Sequence, residues 1–134
     1  MNELVINRLE WFGYEVVHSD LLTIKFIIEK IENKVKTDCN IDEIPEELNN
    51  VLVDMVVGNF FIEKKTFDPD SLKSINFESV IKQIQEGDTN ITFSDNSKTP
   101  EQRFDELISY LINRSMIFHV IGKSDGKNKK SERI

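Results

Sequence analysis

The chain has 134 residues, a length that fits one domain, so one core is expected. Its apolar fraction of 39% is low and its charged fraction of 31% is high for a free-standing globule, so part of its surface is expected to be solvated or reserved for other subunits. The net charge of -7 is unevenly spread. Residues 1–121 hold 12 Lys/Arg against 22 Asp/Glu, net -10, whereas residues 122–134 hold 5 against 2, net +3. That balance argues against a phosphate-gripping body, since nucleic-acid affinity comes from clustered cations displacing counterions.

A first short helix is expected around Leu4, Val5, Leu9 and Phe12, with Gly13 as its C-terminal cap. A second, over about 20–37, follows from Leu21, Leu22, Ile24, Ile27, Ile28, Ile31 and Val35 at helical spacing, with Ser19 as N-cap. The third is expected to open at Pro45, placing Glu46 and Glu47 at the positive end of its dipole and Lys64 and Lys65 at the negative end. Leu48, Val51, Leu52, Met55, Val56, Phe60 and Ile62 make it apolar nearly all round, so it must be buried on several sides, by its own fold or by neighbouring copies. Gly58 inside it costs about 1 kcal/mol relative to Ala, which points to close approach by another helix or subunit.

Residues 66–79 read as a connection with at most one turn of helix around Pro69. Residues 80–93 read as a β-hairpin: Val80, Ile84, Ile91 and Phe93 bracket a turn at Glu86, Gly87, Asp88 and Thr89. Thr99, Pro100 and Gln102 form a capping box that opens a last helix to about Ser115, with Phe104, Leu107, Ile108, Leu111 and Ile112 on one stripe. The fold class expected is therefore all-α: a small bundle of three to four helices spanning 1–115, with an inserted hairpin and an extended or disordered C-terminal arm over 116–134. The apolar run Met116 to Ile121 either ends the last helix in the core or lies on a partner.

No segment carries a catalytic, cofactor-binding or metal-binding constellation. Asp38, Asn40 and Asp42 begin a calcium-loop pattern, but its sixth position is Glu43 where Gly is needed, and its twelfth is Asn49 where a bidentate Glu is needed. His18 and His119 lie far apart without carboxylate partners at a useful spacing, and no glycine falls in a phosphate-cradling pattern. Cys39, the only cysteine, excludes an internal disulfide and suits a reducing cytoplasm. Neither a signal peptide nor an 18-residue apolar run is visible, so a soluble, non-secreted protein without membrane contact is expected.

Taken in order, the WFGY that follows the first helix, the long helix to DCN, IPEEL opening an apolar helix with DMVVG, EGDTNITF and the capped final helix resemble the small head-tail connector (adaptor, head-completion) proteins of tailed bacteriophages. The resemblance implies a structural protein of the virion neck, made in the host cytoplasm. It implies a ring, commonly of twelve copies, between the portal protein and a stopper or tail-completion protein, passing DNA without sequence-specific binding. It further implies that the C-terminal segment meets the portal, here through Ile117, Phe118, Val120, Ile121, Lys123, Lys127, Lys129, Lys130 and Arg133. Gly58 and the turn Glu86, Gly87, Asp88 and Thr89 are the candidates for subunit or neck contacts. Two other classes fit the charge pattern: a small acidic inhibitor or DNA mimic, and a helical nucleic-acid-binding regulator with a basic tail.

Overall fold

The computed structural model describes residues 1–87 and 99–113. Among these residues the protein is all-α, with five helices and no strand: α1 (Asn2–Trp11), α2 (Asp20–Cys39), α3 (Asn49–Phe67), α4 (Phe77–Gly87) and α5 (Pro100–Asn113). Short 3₁₀ turns at Glu46–Leu48 and Pro69–Leu72 flank α3.

Two helices end in the same way. After α1, Gly13 takes φ +93°, its N–H donates to the Glu10 carbonyl at 2.9 Å, and the Tyr14 N–H donates to the Leu9 carbonyl at 3.0 Å. After α2, Asn40 takes φ 55°, its N–H donates to Thr37 and the Ile41 N–H donates to Lys36. Both are Schellman closures, in which a left-handed residue satisfies the last carbonyls; Gly adopts that conformation without a Cβ penalty, and Asn is the next best tolerated. Asp38 and Cys39 thus belong to the last turn of α2, and Asp38 pairs with Lys34 at 2.9 Å.

α3 is the centre of the bundle. α1, α2 and α5 pack against it, and α4 packs on α5. Residues 51–58 are buried without interruption, and Phe60 and Phe61 extend that core. From Val51 to Phe61 the apolarity of α3 is covered by the chain's own helices and no longer speaks for neighbouring copies, whereas Ile62, expected in that interior, and Phe67 are exposed. An aromatic string joins the elements. Tyr14 meets Phe60 at 5.3 Å between ring centres, Phe12 meets Phe61 at 5.6 Å, Phe61 meets Phe104 at 6.0 Å, and Phe104 meets Phe77 at 4.8 Å. Each such ring contributes roughly 1.5–3 kcal/mol through burial alone.

The start of α5 is the expected capping box, with the Thr99 hydroxyl accepting from the Gln102 N–H at 3.2 Å and the Gln102 side-chain carbonyl accepting from the Thr99 N–H at 3.0 Å. Four expectations are corrected. Ser19 makes no side-chain cap; the Asp20 carboxylate takes the Val17 N–H instead. Pro45 is extended and precedes a 3₁₀ turn, so α3 proper opens at Asn49. Leu21 and Leu22 face solvent. The near arm of the hairpin is helical: α4 runs to Gly87, opened by the Asn76 side chain accepting from the Ser79 N–H at 3.1 Å, and it buries Val80, Ile81 and Ile84. The i, i+1, i+4 spacing of those three suits a helix face, not strand alternation. The rest of the expected turn, Asp88 and Thr89, the far arm, residues 90–93, and the C-terminal segment 116–134 lie outside the described residues.

Candidate functional site

Two buried ion pairs tie the elements together. Asp20, at the start of α2, accepts from the Tyr14 hydroxyl at 2.7 Å and from the Val17 N–H at 3.1 Å, and its other oxygen meets the Lys64 ammonium at 2.7 Å. Burial pushes this carboxyl up, but the hydrogen bonds from Lys64, Tyr14 and the Val17 amide outweigh it and hold the group below its usual 3.8. Burial likewise pulls the Lys64 ammonium down, and its bond to Asp20 more than reverses this, leaving it above 10.5. Tyr14 is pushed up to about 12, first by burial, then by the hydrogen bond it donates to Asp20 and by that group's charge. A carboxylate with three donors and a fully charged lysine partner is a clamp and holds its proton far from neutral pH; it is not poised as an acid or base.

The second pair sits in the middle of α3. Asp54, the only charge within the buried run 51–58, meets the Arg8 Nε at 2.9 Å, and the Arg8 guanidinium lies over the Trp11 and Phe12 rings at 4.7 and 4.9 Å. Stacking and the ion pair together fix α1 on α3. The groove above them, about 490 Å³, is lined by Leu4, Trp11 and Asn50 as well as by the pair. A second groove of about 400 Å³ lies between the segment 73–78 and Arg103. The Ser74 hydroxyl in the second groove donates to the Gly13 carbonyl at 3.0 Å. Among the described residues no three His, Cys, Asp or Glu side chains converge on a possible metal position, and no helix is long and apolar enough to cross a membrane.

The sequence candidates fall in three places. Gly58 is buried in α3, and a Cβ there would stand 3.1 Å from both the Leu111 Cβ and the Ile112 Cγ1, so the close approach expected at this position is made by α5 of the same chain. Glu86 and Gly87 are exposed at the end of α4. Asp88, Thr89 and all the C-terminal candidates, Ile117 to Arg133, lie outside the described residues. His18 is exposed, and Cys39 is buried at the end of α2.

What the sequence reading missed is an outward apolar face on α2. Leu22 is 77% exposed and Phe26 65% exposed, one helical turn apart and opposite the buried Ile24, Ile27, Ile28 and Ile31. Val17, ahead of the helix, and Leu21 are also half exposed. The signal was present in the spacing: a helical wheel puts residues 22 and 26 opposite residues 24, 28 and 31. Comparison with known proteins finds no family model, no curated protein and no solved structure that matches this chain.

Proposed function

We propose that the protein is a subunit of the ring that joins the portal to the tail-proximal neck of a tailed bacteriophage and extends the DNA channel after packaging. The observation that carries this reading is the ordered likeness of its segments to the connector proteins: WFGY after a short helix, a long helix to DCN, IPEEL ahead of an apolar helix with DMVVG, and a capped final helix. Two physical features support it. An acidic body, net -10 over residues 1–121, suits a channel wall past which DNA must move without sticking. A protomer with a complete core and an unpartnered apolar face on α2 suits a subunit that associates after folding.

In this reading the C-terminal segment is the portal-binding arm, its apolar run seated between portal subunits and its cations on an acidic surface. The exposed end of α4, Glu86 and Gly87, with Asp88 and Thr89 that follow in sequence, faces a neighbour in the neck. The test is co-purification with a portal ring and electron microscopy of the complex, using the full chain and a chain lacking residues 117–134. The full chain is expected to add a ring below the portal, and the shortened chain to keep its helical signal and lose docking. Failure of the full chain to bind any portal ring of its phage overturns the connector reading. Docking of the shortened chain overturns only the arm.

A further inference from the structure

We infer that the outward face of α2 docks the acidic segment 41–47 of a second copy of this chain, head to tail. This rests on the ring reading and supplies it with a subunit contact. A helix that is apolar on two opposite faces needs two burials, and the protomer provides one, through Ile24, Ile27, Ile28 and Ile31. Leu22, Phe26, Val17 and Leu21 together leave roughly 400 Å² of apolar surface in water, Leu22 and Phe26 supplying most of it on one face of α2. It is also about half of the 800 Å² that a standard interface buries on each partner, so a stable contact must extend onto the charged rim.

That rim selects the occupant. Lys25 and Lys30 bracket Phe26, both exposed, with Glu29 between them, and neither lysine is in an ion pair among the described residues. With ten net negative charges on the body, a second copy must bring acid to this rim. Segment 41–47, IDEIPEE, does so. Asp42, Glu43, Glu46 and Glu47 are all exposed, with no cation among them, beside the half-buried Pro45, while Ile41 and Ile44 pack against the core of their own protomer. This acidic edge is the electrostatic complement of the lysine edge on α2.

The two surfaces lie at opposite ends of α2, on the order of 24 Å apart at 1.5 Å per residue. Two different patches meet either twice across a two-fold axis or once head to tail; in the ring reading each copy gives one patch to each neighbour, and the contact repeats until the ring closes.

The first experiment places photoreactive p-benzoylphenylalanine at Phe26 in the full chain and maps the linked peptides of the covalent dimer. Linkage to residues 41–47 of another copy is expected; linkage to α2 of another copy, to any other segment, or to no protein at high concentration overturns the contact. The second compares the variant Lys25→Glu/Lys30→Glu with the variant Glu46→Lys/Glu47→Lys. All four positions are exposed, so both variants keep the fold, which far-ultraviolet circular dichroism checks. Each alone is expected to associate at least tenfold more weakly than the parent chain, and a one-to-one mixture to restore association, because one variant's acidic α2 face meets the other's basic segment. No rescue on mixing overturns the proposal. A portal-bound ring that forms with linkage elsewhere refutes this contact and leaves the connector reading standing; linkage to 41–47 without any portal-bound ring does the reverse.

Discussion

Gly58 and Leu111 approach so closely that a Cβ on the glycine would lie 3.1 Å from the Leu111 Cβ, so α5 rests directly on the backbone of α3. Lys65 reaches Asp105 at 2.6 Å further along the same two helices, which therefore run antiparallel. The glycine's helix-propensity cost of about 1 kcal/mol is offset by the packing of α5 that its missing side chain permits.

Replacing Gly58 by Leu is expected to cost about 1–3 kcal/mol, because α5 must move or Ile112 must leave its rotamer. Gly58→Ala should stay within about 1 kcal/mol of the parent, the propensity gain working against the tight contact. Leu22→Met, at a solvent-facing position, should change stability by less than about 0.5 kcal/mol. Urea unfolding followed by circular dichroism measures all three; equal midpoints for Gly58→Leu and Leu22→Met would show that the helix contact is slack.

The Asp20 clamp predicts a non-additive pair of substitutions. Asp20→Asn leaves the Lys64 ammonium, only 18% exposed, beside no counter-charge and should cost about 3 kcal/mol. The double variant Asp20→Leu/Lys64→Met removes both charges and should lose less than the two single changes together. Tyr14→Phe gives up one hydrogen bond to a carboxylate, about 1.5 kcal/mol. A double-mutant cycle that closes to zero would contradict the coupling.

Stability should be flat from about pH 5 to pH 9 and fall on both sides. The folded Asp20 pKa lies below 3.8, so its contribution is present above that value and is lost as pH drops through the folded pKa. Tyr14 is raised from 10.0 to about 12 and Lys64 is raised above 10.5, so their contributions are present below the unfolded values and are lost as pH climbs through the folded ones. Urea midpoints across the pH range test this. The part of the alkaline loss due to Tyr14 should disappear in Tyr14→Phe, and a decline centred near neutral pH would place the sensitive group elsewhere.

The body, freed of residues 122–134, should not retain linear duplex DNA even at low salt, where any phosphate contact is strongest. Fluorescence anisotropy of a labelled duplex measures it. Saturable binding that weakens steeply with added salt would favour a nucleic-acid-binding regulator over a passive channel wall.

The periods of α1, α2, α3 and α5 and the caps at Gly13 and at Thr99 to Gln102 are legible in the chain because they depend on neighbours within one turn, whereas the start of α2 at Ser19 and of α3 at Pro45 is not. The same local logic misled at Val80 to Ile84, where a Gly-Asp-Thr turn signal outweighed a helical spacing that Asn76 caps. Only the tertiary structure decided what covers what. It showed that α3 is enclosed by its own chain, that α5 is the reason for Gly58, that Asp20 belongs to Lys64 across 44 residues, and that Leu22 and Phe26 are left in water. Periodicity locates an apolar face, but whether that face meets a helix, a second copy or solvent depends on packing between elements distant in sequence, which no local pattern encodes.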